Sequence, residues 1–300
     1  MGKIAVVFSG QGAQYIGMGQ NLYKHSVKAK QIFEQADKII PGLTEMCFNA
    51  NKADLDNTQN TQPCLFTVNC AASAALDELN IKAQGTAGFS LGELSAAYFS
   101  GVYSFSEGLL LAKKRGEIMQ EHAKKTEGCM AAVIGGKTQT IEELCLLTGN
   151  VFVVNYNSPD QTVISGTTKA VNTVSEILKK LEYRVIKLAV SGAFHSVFMQ
   201  QAAKEFGEQL NDINLLSPTI PLYSNFTSYQ YGLNIKELLT KQIYNPVLWM
   251  QTINNMVNDG FDTFIEAGAG KVLRGLIIKT APQAKVFNTD NFEEIATAFN

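Results

Sequence analysis

Ser90 stands between two glycines in Gly88-Phe89-Ser90-Leu91-Gly92. A short apolar run precedes it, and Glu93-Leu94-Ser95-Ala96-Ala97, with helical composition, follows. A Gly-x-Ser-x-Gly on a strand-to-helix turn crowds the backbone, so small residues must flank the serine. The turn lifts the hydroxyl clear of the sheet and sets it at a helix N-terminus. The chemistry open to it there is nucleophilic attack, with the Leu91 N–H and the positive helix end stabilising a developing oxyanion. The alternative is a serine that only caps the helix. The strand before and the helix after favour the nucleophile.

A serine nucleophile needs a base. The chain has three histidines. His25, in Tyr-Lys-His-Ser-Val-Lys, and His122, in Gln-Glu-His-Ala-Lys-Lys, have polar neighbours that predict solvated positions. His195 follows a strand and the small residues Gly192 and Ala193, and a helix starts after it. Loops at the carboxyl ends of strands are where α/β sites gather, so Ser90 and His195 are the candidate pair. No aspartate stands in a matching loop to hold the imidazole, which points to a backbone carbonyl instead. Gly10-Gln11-Gly12-Ala13-Gln14-Tyr15 raises a nucleotide-binding alternative. Tyr15 takes the place of the third glycine, and no acidic residue follows about twenty positions on in a strand, so that fingerprint is incomplete.

The elements that must carry these residues follow from periodicity. Residues 4–8 form a continuous apolar run, as in a parallel strand covered on both faces. Helices are predicted over 14–23, 27–38, 63–79, 92–100 and 105–124, with a short strand at 85–88. A different rhythm starts near Gly128: strand 130–134, helix 140–147, strands 151–155 and 162–165, helix 168–181, strand 184–188. That βαββαβ order is ferredoxin-like and predicts an inserted subdomain over 128–190. The larger pattern resumes with helices at 198–210, 235–242, 247–258 and 272–279 and strands at 222–224, 263–266 and 285–288. Residues 1–127 and 191–300 then form one large α/β unit.

At 300 residues the chain suits one large domain carrying a smaller one. A hydrophobic fraction of 46% with 17% charged residues allows a sizeable core, and a net charge of −2 gives no reason to expect nucleic acid. The five cysteines (Cys47, Cys64, Cys70, Cys129, Cys145) form no CxxC pair, so neither a disulfide framework nor a zinc site is expected. The N-terminal apolar run is too short for a signal-peptide core, and no stretch approaches the roughly eighteen residues that span a bilayer. The expectation is a soluble, cytoplasmic protein.

Ordered blocks along the chain add a resemblance: FSGQGAQYIGMG (8–19), TQP (61–63), GFSLGE (88–93), KRGEIMQ (114–120), NYNSPDQTVISG (155–166), GAFHS (192–196), NPVLW (245–249) and EAGAGKVLRGL (266–276). The chain resembles the malonyl-CoA:acyl carrier protein transacylases of bacterial fatty acid synthesis over nearly its whole length. The resemblance implies an α/β hydrolase-like large subdomain with a parallel sheet and an inserted ferredoxin-like small subdomain. It implies ping-pong transfer of a malonyl group from malonyl-CoA to the phosphopantetheine thiol of acyl carrier protein. Ser90 would be acylated, and His195 would take its proton and later activate the thiol. Gln11 and Leu91 would share the oxyanion hole through their backbone N–H groups. Arg115 would pair with the free carboxylate of malonate, a role suited to its planar, permanently charged fork. Read without the resemblance, Arg115 is an exposed helix charge. Gln62 would line the same pocket, Phe194 would narrow it, and the Leu248 carbonyl would orient His195.

Two departures stand out. Phe89 replaces the usual histidine of GHSLGE, and Ala269 replaces a proline. Neither a metal nor a cofactor is implied, nor a membrane, and a monomer is expected. The acidic carrier protein would dock on a basic rim, with Lys113, Lys114, Lys271 and Arg274 as candidates. The alternatives are a free-standing acyltransferase of a modular polyketide synthase and a serine hydrolase or thioesterase.

Overall fold

The computed structural model describes residues 2–190 and 192–299; the expected domain junction at residue 191 falls outside them. Among the described residues nine strands, β1 (Lys3–Phe8), β2 (Gly85–Gly88), β3 (Gly128–Ile134), β4 (Val151–Ser158), β5 (Gln161–Thr167), β6 (Arg184–Lys187), β7 (Leu222–Tyr223), β8 (Phe261–Ala267) and β9 (Lys285–Asn288), form two sheets. The larger has the order β7-β2-β1-β8-β9, and every pair in it is parallel. From β1 the chain builds outward through β2 to β7, then crosses to the other side of β1 for β8 and β9. Such a reversal opens a crevice at the carboxyl ends of the strands. The loops after β1 and β2, which carry Gln11 and Ser90, both leave the sheet at that end.

Both faces of this sheet are covered, as the unbroken apolar run of β1 requires. Val6 and Phe8 point into one core layer with the long helices, while Ala5 and Val7 pack with Trp249, Ile253, Leu273 and Ile277 on the other. The smaller sheet is antiparallel, in the order β4-β5-β3-β6. Together with helices Thr138–Thr148 and Thr168–Lys180 it makes the ferredoxin-like subdomain, over a core of its own that includes Val133, Ile141, Ile164 and Val174. The small sheet is joined to the large subdomain at Val247, next to the site. Tyr156 N donates to Val247 O at 3.0 Å, and Val247 N donates to Val154 O at 2.9 Å.

Several elements differ from expectation. The helix expected over 14–23 forms only as Gln20–His25. Gly17 and Gly19, at φ 91° and 81°, keep the preceding loop out of the helical region. The helix expected to open at Pro63 begins five residues earlier and spans Thr58–Glu78 with Pro63 inside it. Short helices at Leu43–Asn49, Lys52–Asp56 and Phe292–Phe299 were not expected. His122 is buried rather than solvated, because helix Gln200–Gln209 packs over its own helix; Glu205 Oε1 lies 3.0 Å from its Nε2. His25 stays on the surface, 3.7 Å from Glu293.

Candidate active site

Ser90 sits on the turn between β2 and helix Gly92–Phe99 at φ 51°, a left-handed conformation uncommon for a non-glycine residue. The glycines make that turn possible by close approach. A Cβ on Gly88 would stand 1.9 Å from Gly92 O, and one on Gly92 would stand 2.1 Å from Phe8 O. The hydroxyl is therefore pressed out at the sheet's carboxyl edge, beside the loop Gly10–Ala13.

His195 reaches this hydroxyl from 105 residues away: Ser90 Oγ and His195 Nε2 are 2.8 Å apart. On its other side, Nδ1 lies 2.9 Å from the backbone carbonyl of Gln242. A carbonyl can only accept, so Nδ1 carries the proton and Nε2 is free to accept from Ser90. Burial, then the nearby Arg115 charge, push the imidazole down from 6.5 to about 4, so it is neutral at physiological pH. The expectation of a backbone carbonyl holds, but the residue is corrected. The Leu248 carbonyl is occupied by Thr252, whose N and Oγ1 donate to it at 2.9 and 2.8 Å as helix Trp249–Asn258 begins.

Arg115 is 1% exposed, not a surface charge. Its helix, Phe105–Lys125, packs against Thr58–Glu78 with Gly116 at the contact, where a Cβ would meet Thr58 O at 2.9 Å. That close approach brings Gln62 to the guanidinium. Nη1 donates to Gln62 Oε1 at 2.9 Å, and Nη2 donates to Gln242 Oε1 at 2.8 Å and to Ser90 Oγ at 3.2 Å. No carboxylate of the described residues lies within ion-pair distance. Burial lowers the guanidinium to about 10, which leaves it charged. Glu93 lies near enough to favour the charge without forming an ion pair. A buried cation whose hydrogen-bond partners among the described residues are two neutral amides and the serine hydroxyl is a receptor for an anion.

A cleft of about 390 Å³ opens over Ser90 and His195. Gln11, Gln62, Phe89, Met119 and Phe194 line it from the large subdomain, and Met130, Asn155 and Asn157 from the small one. The backbone N–H groups of Gln11 and Leu91 donate to no acceptor among the described residues. The Gln11 side chain is tied back to Thr58 Oγ1 at 3.1 Å.

The acyl transferase domain family matches residues 5–296. The chain belongs to that family. Within it, the chain is 38% identical to the malonyl CoA-acyl carrier protein transacylase of Bacillus subtilis, covering 99% of this chain and 96% of that protein. Among acyl transferases of known structure, the malonyl CoA-acyl carrier protein transacylase of Clostridium perfringens superposes with a TM-score of 0.94 at 37% identity, covering 99% of this chain and 96% of that one. A malonyl-transacylase solved in complex with a type II polyketide synthase acyl-carrier protein superposes with a TM-score of 0.94 at 31% identity, covering 99% of each chain.

Phe89 packs edge-on against Trp249, with ring centroids 5.5 Å apart at 67°. The indole Nε1 is buried without a partner among the described residues. Ala269 is fully buried in its turn between Gly268 and Gly270. Of the basic candidates, Lys113 and Lys114 reach Glu117 on their own helix at 3.9 and 3.0 Å. Lys271 and Arg274 are exposed, and the residues between them, Val272 and Leu273, line the cleft.

Sequence reasoning missed two residues of this acyl transferase site. Gln242 holds His195 by its carbonyl and Arg115 by its Oε1, while its Nε2 donates to Ser90 O at 2.5 Å. It lies three residues before the NPVLW block, so a slightly wider reading of that block would have reached it. Asn225 Oδ1 accepts from Ser90 N at 2.7 Å. It lies 135 residues from Ser90 in sequence, and no local signal marks it.

Proposed function

We propose that this acyltransferase moves a malonyl group from malonyl-CoA to the phosphopantetheine thiol of an acyl carrier protein, through a malonyl-serine at Ser90. The observation that carries the reading is Arg115: a buried guanidinium in no ion pair among the described residues, 3.2 Å from the candidate nucleophile. A thioester whose acyl group ends in a carboxylate supplies the missing charge. The transacylases named above support the choice of malonyl and carrier protein.

In the proposed mechanism Ser90 Oγ attacks the thioester carbonyl while its proton passes to His195 Nε2. The N–H groups of Gln11 and Leu91 receive the oxyanion. Collapse expels coenzyme A, which takes the proton from His195. The carrier thiol then gives its proton to His195, attacks the malonyl-serine, and Ser90 leaves with that proton. Gln62 and Gln242 hold the Arg115 fork, and Phe194 limits the space beside the acyl carbon. The proposal includes no metal or cofactor and takes the chain as a monomer in a cytoplasmic setting. Lys271 and Arg274, at the cleft mouth, are the better-placed half of the basic rim for an acidic carrier.

Intact-protein mass after brief exposure to malonyl-CoA, methylmalonyl-CoA or acetyl-CoA tests the reading. A malonyl adduct is expected on the unmodified chain and none on Ser90→Ala. Arg115→Ala is expected to lose malonyl-CoA acylation by at least about 100-fold and to accept acetyl-CoA more readily. Free acid released without an adduct or carrier transfer would make the protein a hydrolase instead.

A further inference from the structure

The carboxamide of Asn225 lies edge-on to the elbow. Its Oδ1 accepts from Ser90 N at 2.7 Å, and its Nδ2 donates to Gly88 O at 2.5 Å. Those two backbone groups flank Phe89, on the edge of β2 that faces β7. Strand β7 is only two residues long and pairs with Thr86 and Ala87. The Asn225 amide takes up the ladder where β7 stops, bonding the elbow as a neighbouring strand would. A regular strand cannot do this, because Ser90 turns out of the sheet at φ 51°.

The rest of Asn225 is fixed on both sides. It is fully buried; its N donates to Glu93 Oε1 at 3.1 Å, and its O accepts from Leu248 N at 2.9 Å. Glu93 Oε1 is itself held by the Tyr231 hydroxyl at 2.5 Å. The residue thus ties the elbow to the helix after it and to the segment that begins at Gln242, the anchor of His195.

We propose that Asn225 is a positioning residue for acyl transfer: its side-chain amide holds Ser90 in the left-handed conformation and so sets the approach of Ser90 Oγ to His195 Nε2. The proposal rests on the reading of Ser90 as the acylated nucleophile. Deleting the amide leaves Ser90 N without its buried acceptor and lets the turn relax, and a shift near 1 Å at a nucleophile costs on the order of 100-fold in rate.

The test measures Ser90 acylation by rapid quench over a range of malonyl-CoA concentrations, beside the rate of labelling by a fluorophosphonate. Asn225→Ala removes only the side-chain bonds, while Asn225→Asp keeps the acceptor for Ser90 N and loses the donor to Gly88 O. For Asn225→Ala the saturating rate should fall about 100-fold, with half-saturation within about 3-fold, since Arg115, Gln62 and Gln242 do not touch its side chain. Asn225→Asp should fall by about 10-fold, again in the saturating rate. A folded Ala variant whose saturating rate stays within about 3-fold of the parent overturns the proposal, as does a loss confined to half-saturation. If the Ala variant does not fold, the Asp variant decides on the same criteria. Labelling separates the two readings. If the parent chain takes fluorophosphonate but no malonyl group, the malonyl reading fails, and Asn225 is judged on the labelling rates.

Discussion

Ser90, His195 and Arg115 meet under opposing electrostatic demands. Ser90 needs a neutral imidazole beside it, while the proposed substrate needs a charged guanidinium 3.2 Å away. Burial and then the Arg115 charge drive His195 down to about 4, while the guanidinium, which burial lowers only to about 10, stays charged. The base form of His195 therefore persists well below its ordinary value. Acylation of Ser90 is expected to be flat from about pH 8 to about pH 5.5 and to fall as pH drops through about 4, where the imidazole takes a proton. Rapid-quench acylation against pH checks this; a fall centred at the ordinary 6.5 would show a solvated histidine.

At the scale of elements, each site residue depends on how its helix or strand begins. The Arg115 helix opens with a capping box, in which Ser104 Oγ accepts from Glu107 N and Glu107 Oε2 accepts from Ser104 N at 2.8 Å. Ser104→Ala should cost about 1 kcal/mol of stability and leave the acylation rate unchanged, because the cap is three turns from Arg115. Denaturant unfolding and the quench assay read the two effects separately. Most of these elements were legible in the sequence from apolar periodicity. The early start of helix Thr58–Glu78 was not, since Pro63 is itself a sound helix-opening signal. Its true start depends on Asn57, whose carbonyl accepts from Thr61 N at 2.8 Å.

Over the whole molecule, the site lies where two subdomains face each other across the cleft, and the acids beneath it are buried. Glu93 is fully buried, and burial raises it to about 7. Glu266 accepts from Leu273 N and Arg274 N at 2.9 and 2.8 Å, and burial raises it likewise to about 7. Unfolded, both return to 4.5. Their contribution to stability is complete below 4.5 and is lost as pH rises through about 7. Each change is on the order of 1–3 kcal/mol. His195 acts in the opposite sense: its contribution is present above 6.5 and lost as pH falls through about 4. The thermal midpoint should therefore be lower at about pH 8 than at about pH 6, and Glu266→Gln should flatten that slope. An unchanged slope in the variant would refute the role given to Glu266.

The sequence by itself determined the local features of this acyl transferase. Gly88, Ser90 and Gly92 dictate an elbow because only small residues survive its close contacts, and the switch of rhythm at Gly128 announces a second sheet. Ser90, His195 and Leu91 were named from the residues and Arg115, Gln62 and Gln11 from the resemblance. Ser90, His195, Gln62 and Gln11 line one cleft, Arg115 touches Ser90, and Leu91 follows Ser90 in the chain. Only the tertiary structure decided what holds them. Gln242 rather than Leu248 carries the carbonyl for His195, because the start of helix Trp249–Asn258 consumes the Leu248 oxygen. Arg115 became a buried charge only when two helices closed on it, and Asn225 found Ser90 only when β7 paired with β2. Motifs record which groups a chemistry needs near one another in sequence. Supporting hydrogen bonds join residues 47 to 152 positions apart and exist only once the chain has folded.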